Sequence, residues 1–191
     1  SVYLDSLDDT PVDVNFSEIL GNKLDDVAKE SVEVSFYQLP ITYTKLIINI
    51  SKKENLSPYM QSFVESKVSG IKLSDYNKIL EMQGKKPISL KDNEYALNCN
   101  FVDIKEYYSL PDIKTLSINS KDYSLYQNDF QSTQMKTYSQ EDDFGTIILP
   151  DAAFSNCIVV EQLLNINYKE ANEAYEKMFN DELLKDLDNS T

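Results

Sequence analysis

The stretch Leu73-Ser74-Asp75-Tyr76-Asn77-Lys78-Ile79-Leu80-Glu81-Met82-Gln83-Gly84-Lys85-Lys86-Pro87-Ile88, running on to Lys91-Asp92-Asn93-Glu94-Tyr95, decides how the chain folds. Tyr76, Ile79, Leu80 and Met82 fall on one side of a helix spanning 75–83, and Ser74 stands where a side-chain cap belongs. Gly84 suits the left-handed conformation that follows a last helical turn, and Pro87 forbids further helix. A polar turn then feeds Glu94–Val102, where Tyr95, Leu97, Cys99 and Phe101 alternate with polar residues as in a strand. A further strand is expected just before, at Lys67–Leu73.

The same reading extends outward. Residues 1–15 are acidic and form an entry segment or short strand. Ser17–Glu30 has helical spacing at Ile19, Leu20, Leu24 and Val27, weakened by Gly21 and Asn22. Val32–Tyr37 alternates as a half-buried strand. Pro40 interrupts it, with another strand expected at Tyr43–Ile50 and a short helix opened by Ser57-Pro58. The Tyr-rich middle predicts a meander of strands at 114–119, 122–127 and 133–138. Gly145–Pro150 reads as a buried strand, Asp151–Phe154 as a turn and Cys157–Tyr168 as a long strand. Lys169–Leu187 reads as an amphipathic C-terminal helix. Strands and helices mix without regular alternation, which predicts an α+β domain with a mixed or antiparallel sheet and a few short helices. We read residues 1–191 as one domain, with a possible division into two lobes near 102–112.

Composition narrows the function. The chain has 191 residues and a formal net charge of −14; its 18 basic residues are all Lys. Phosphate binding needs a positive face, so nucleic acid is not an expected partner, and an anionic membrane would repel the domain. A cationic partner would be attracted, chiefly through faster encounter, although acidic surfaces also simply keep proteins soluble. No run of about 18 apolar residues spans a membrane. No secretory signal opens the chain, so an extracellular domain would need an export signal outside it. Cys99 and Cys157 sit in apolar strand-like contexts and read as two buried free thiols; a bridge stays open if their strands are neighbours.

With no histidine, Ser-His-Asp and Cys-His catalysis and His-ligated metal sites are excluded. Gly84-Lys85-Lys86 lacks the upstream Gly and following Ser or Thr of a P-loop, and no Gly-rich cofactor cradle exists. Neither the Asp5, Asp8, Asp9, Asp13 cluster nor the Glu141, Asp142, Asp143 run has EF-hand spacing. No cofactor is expected. Two carboxylates could serve glycoside hydrolysis, but 32 acidic residues make chance pairs common. Tyr107, Tyr108, Tyr123, Tyr126 and Tyr138, with Glu141, Asp142 and Asp143, form a candidate surface for cationic amphipathic peptides through apolar and cation–π contact. The competing reading is that these rings pack on the sheet.

Three features together resemble the extracellular domain of FtsX-like ABC transporter permeases, most nearly the bacitracin-export type of low-GC Gram-positive bacteria. They are Ser74–Gly84 with its Lys85-Lys86-Pro87-Ile88 turn and the Asp92–Leu97 strand; Ile148-Leu149-Pro150-Asp151 with Phe154; and Leu163–Tyr168 entering the last helix. They span residues 67–187. None is catalytic, so no functional residue carries over. The resemblance implies a domain on the extracellular face of the cell membrane, looped out between transmembrane helices of a larger permease. A separate cytoplasmic ABC ATPase would hydrolyse ATP, and a sensor histidine kinase is a further implied partner. It implies a non-enzymatic part that senses or binds a peptide antibiotic. The alternative is a scaffold that docks a partner protein or transmits ATP-driven motion, as in MacB-like systems.

Overall fold

A computed structural model describes residues 2–5 (backbone), 14–42, 67–99, 115–135 and 145–169, together with Asp181 and Lys185. The described chain runs β1 (Val2–Asp5), α1 (Phe16–Leu20), α2 (Asn22–Val27), β2 (Ala28–Thr42), β3 (Lys67–Lys72), α3 (Leu73–Met82), β4 (Glu94–Asn98), β5 (Thr115–Ile118), β6 (Lys121–Leu125), β7 (Thr146–Leu149) and β8 (Val159–Tyr168). The strands form one mixed sheet in the order β1-β8-β2-β3-β7-β4-β6-β5. β3–β7 and β4–β6 are parallel and the other pairs antiparallel. The fold is α+β. Strands from both sides of 102–112 join this sheet, and that segment itself lies outside the described residues.

The sheet separates two cores by the period-two rule. On one face Ile147 and Leu149 of β7 meet Tyr95 and Leu97 of β4, Leu39 and Ile41 of β2, and the β5–β6 hairpin. On the other, Ile148, Ala96, Val34 and Phe36 meet Tyr76, Ile79 and Leu80 of α3. β7 is buried at all four positions because both faces are covered. A third cluster packs Phe16, Leu20, Leu24 and Val27 of the two short helices onto Leu164 and Ile166.

The decisive stretch folds as a helix, a stop and a strand, with one correction. α3 spans Leu73–Met82, and Lys72 occupies its N-cap without a side-chain cap bond. Ser74 is inside the helix, where its N–H donates to Asp151 Oδ1 at 3.0 Å. The cap therefore comes from the 3-10 turn Asp151–Phe154 that follows β7. Asp151→Ala is expected to cost about 1 kcal/mol, as loss of an N-terminal helix cap does, measured as a shift of the urea midpoint. At the other end Gly84 has φ +72°, Gly84 N–H donates to Glu81 C=O at 3.0 Å, and Lys85 N–H to Leu80 C=O at 2.8 Å. This is the 6→1 and 5→2 pattern of a Schellman stop. The segment after it is pinned by a two-point amide pairing between the Asn77 side chain and Ile88, at 2.9 Å each way.

Other boundaries differ from expectation. The helix expected over Ser17–Glu30 is two short helices broken at Gly21, whose φ of +49° and ψ of −129° leave helical space. The second yields to β2 at Ala28. Pro40 does not end β2; it sits exposed inside it, where the register with β3 slips between Gln38 and Thr42 and a residue without an N–H is tolerated. The β5–β6 hairpin matches two strands of the meander and turns through Asn119 and Ser120, both at positive φ, as a two-residue hairpin loop requires. Of the strand expected at 133–138, Thr133–Met135 is not a strand, because the Thr133 N–H donates to, and its C=O accepts from, the Asn98 side chain instead of a ladder, and 136–138 lie outside the described residues. The strand expected at Tyr43–Ile50, the helix near Ser57 and the apolar face of the C-terminal helix lie outside the described residues; Asp181 and Lys185 are helical and exposed.

Tyr76 and Tyr95 are fully buried, and burial raises both phenols above the ordinary value. The unfolded chain would release these protons above about pH 10 while the native one keeps them. Stability is therefore expected to be unaffected by these groups below about pH 10 and to fall as pH rises beyond it. Urea midpoints followed alongside phenolate absorbance through the alkaline range check this.

Candidate functional site

Beside β2 the described chain forms an open groove of about 750 Å³. β2 lines it from Glu30 to Tyr37 and α3 from Ser74 to Met82, and Val14, Asn15, Lys72 and Gln162 line it as well. Glu30, Glu33, Asp75 and Glu81 line it against Lys72 and Lys78, so carboxylates outnumber ammonium groups.

Each charge is placed by local structure. Glu33 stands on the polar side of β2 and accepts the Phe16 N–H at 2.8 Å, which holds α1 against the sheet. Asn15 caps the same helix through Glu18 N–H at 3.1 Å. Gln162 fixes the preceding residue by pairing with both backbone groups of Val14, at 2.7 and 2.8 Å. Asp75, in the first turn of α3, accepts from Ser35 N–H at 3.4 Å and from Lys78 Nζ at 3.5 Å. Lys72 Nζ stands 5.5 Å from the Tyr37 ring centroid, and that ring packs on Phe154 at 4.8 Å. A hydrogen bond to the Tyr37 hydroxyl raises the Lys72 ammonium above its ordinary value, with Asp151 and Asp75 adding to it, so Lys72 carries its charge at neutral pH. Glu30 accepts from Asn167 Nδ2 at 3.3 Å, and the Glu30 and Glu81 side chains belong to exposed residues.

A second groove of about 480 Å³ lies beyond Met82, which lines both. Its apolar lining comes from Ile79, Met135 and Ile166, and amides of Gln83, Gln134 and Asn165 rim it.

The residues singled out in the sequence are elsewhere. Tyr123 is buried in the core beneath the β5–β6 hairpin, with Lys121 Nζ 5.2 Å from its ring centroid. Tyr126 is half-buried against the opposite core and accepts from Gln127 Nε2 at 3.0 Å. The two rings are thus on different faces of the sheet. Tyr107, Tyr108, Tyr138, Glu141, Asp142 and Asp143 lie outside the described residues. Cys99 is buried and Cys157 half-buried, neither is joined in a disulfide, and burial pushes the Cys157 thiol up, which lowers its reactivity. The groove residues were missed because Glu33, Ser35 and Tyr37 register in the sequence only as the polar side of a strand. That uninterrupted polar side, followed by an acidic first turn at Asp75, was the available signal. Comparison with protein-family models, with curated proteins and with solved structures returns no match for this chain.

Proposed function

We propose that this chain is the extracellular recognition domain of an FtsX-like ABC transporter permease, and that it binds a cationic peptide of the antibiotic class. The observation that supports this most is the β2–α3 groove, lined by four carboxylates and two ammonium groups beside a half-buried tyrosine; of the carboxylates, Glu33 is held by α1 and Asp75 by Ser35 and Lys78, which leaves Glu30 and Glu81 the most exposed. Its volume is in the range of ligand sites, about 300–1,000 Å³. The resemblance carried together by Ser74–Leu97, Ile148–Asp151 with Phe154, and Leu163–Tyr168 supplies the permease context: transmembrane helices of the same protein, a separate ATPase that hydrolyses ATP, and a sensor kinase as signalling partner. The domain itself performs no chemistry in this reading. A scaffold role is the second reading, favoured by the pinned basic loop at Lys85, Lys86 and Lys91. Among the described residues Ile158 is the one exposed large apolar side chain, so the described surface offers that role little apolar area.

Calorimetric titration with cationic and neutral peptide antibiotics, at low and physiological salt, tests the proposal. Saturable binding of cationic members is expected to survive physiological salt, where screening acts over about 8 Å. Replacing both Glu30 and Glu81 by Gln is expected to weaken it about three- to tenfold, as loss of two exposed charge pairs does. Binding indifferent to both substitutions would remove the groove from the mechanism.

A further inference from the structure

β2 is long and its neighbour is short. β3 covers β2 from Phe36 to Thr42, whereas from Ala28 to Ser35 the one strand paired with β2 among the described residues is β8. The chain leaves the sheet at Lys72 and enters α3, which runs beside this edge, and among the described residues no strand pairs with it there. The N–H of Ser35 points away from β8, since it donates to Asp75 Oδ2 on the α3 side. Peptide groups in an antiparallel ladder alternate sides, and the β2–β8 register is unbroken from Glu30 to Phe36. The peptide groups of Ser31 and Glu33 therefore face the same open side as Ser35. This edge lines the acidic groove, as do Lys78, Glu81 and Met82.

We propose that the groove takes its ligand by strand addition: an extended cationic peptide segment pairs with the Ser31–Ser35 edge of β2. The peptide backbone would hydrogen-bond to Ser31 and Glu33, and alternate side chains would reach the carboxylates of Glu30 and Glu81. The proposal rests on the recognition reading above and adds the ligand's conformation and its contacts. Uncovered strand edges are templates for any passing strand, and proteins guard them with charge. Lys29, Glu30 and Glu33 are such guards here. A second copy of this edge would bring Glu30 and Glu33 against their own kind, whereas a cationic strand gains from them. Main-chain pairing supplies affinity in such sites and alternating side chains supply selectivity.

The test uses a synthetic heptapeptide alternating lysine and valine, and the same peptide N-methylated at alternate residues. N-methylation keeps the charge but removes the strand donors. The first is expected to bind saturably and to slow amide exchange at Ser31 and Glu33. The second is expected to bind at least about tenfold more weakly, the worth of one to two net hydrogen bonds. Ser31→Pro removes one edge donor at a position where a strand edge tolerates proline, and is expected to mimic the N-methyl effect with the circular dichroism unchanged. If that variant does not fold, the peptide pair and the exchange data on the native chain decide alone. Equal binding of both peptides with unprotected Ser31 and Glu33 amides would overturn strand addition and leave charge recognition standing. Failure of both peptides and of every cationic antibiotic to bind would overturn both readings.

Discussion

Asn98→Ala is expected to lower the unfolding free energy by about 3–4 kcal/mol, because it orphans both backbone groups of a buried residue at once. Asn98 Oδ1 accepts the Thr133 N–H at 2.8 Å, and Nδ2 donates to the Thr133 C=O at 2.9 Å. Both residues are buried, Asn98 completely. The amide thus stands in for a missing strand partner, and without it Thr133 has neither ladder nor water. Tyr76→Phe and Thr133→Val are each expected to cost only about 1 kcal/mol. Thr133→Val removes the 2.8 Å hydroxyl contact with Tyr76, and Tyr76→Phe removes that contact together with the 3.3 Å bond from the Tyr76 hydroxyl to Asn98 Oδ1; both leave the two-point amide pairing intact. Urea unfolding of the three variants checks the ranking. Three similar values would show that the hydroxyl pair, not the amide, secures the segment. The network joins β4, α3 and the chain at 131–135. Its loss is expected to loosen α3, and with it Asp75 and Glu81 in the groove.

The α+β class and most described elements were legible because their signals are local. Tyr76, Ile79 and Leu80 repeat at helical spacing and are all buried; Ile147–Leu149 is an apolar run and lies between two cores. Gly84 before Lys85-Lys86-Pro87 spelled the helix stop that the backbone adopts. What was not legible depends on partners distant in sequence. The cap of α3 comes from Asp151, 77 residues on from Ser74, so the nearer serine looked like the natural choice. β2 continues through Pro40 because a register slip with β3 accommodates the ring, and no local pattern announces such a slip. The candidate site suffered most. An exposed Tyr and a core Tyr read alike in one dimension, and Tyr123 proved to be core. The groove exists because β3 stops six residues after it starts while β2 runs for fifteen. That mismatch of lengths becomes visible only once the strands are paired.

Gly70→Ala separates two opposed effects by sign. In a strand interior alanine normally gains over glycine by about 0.5–1 kcal/mol, because the unfolded chain loses freedom. Gly70 sits in β3 between Tyr37 of β2 and Ile147 of β7, and its role is to leave space. A Cβ there would lie 2.8 Å from Phe154 Cε1 and 3.0 and 3.1 Å from Leu39 Cγ and Cδ1. Phe154 and Leu39 are both buried, so neither offers a loose end to move aside. Overpacking of this kind costs about 1–3 kcal/mol and outweighs the entropy gain. Gly70→Ala is therefore expected to destabilise by about 1–2 kcal/mol net, and Gly70→Val by more. Phe154→Leu should relieve part of that cost, so the Gly70→Ala/Phe154→Leu pair is expected to be less destabilised than the sum of its single variants, by about 0.5 kcal/mol or more. Strict additivity, or a stabilised Gly70→Ala, would mean that the close approach is not what holds glycine at this position. Because Phe154 stacks on Tyr37, the same substitution is expected to displace the Tyr37 ring and Lys72 beside it. A change in the groove's peptide affinity alongside the stability loss would tie the packing beneath the sheet to recognition at its edge.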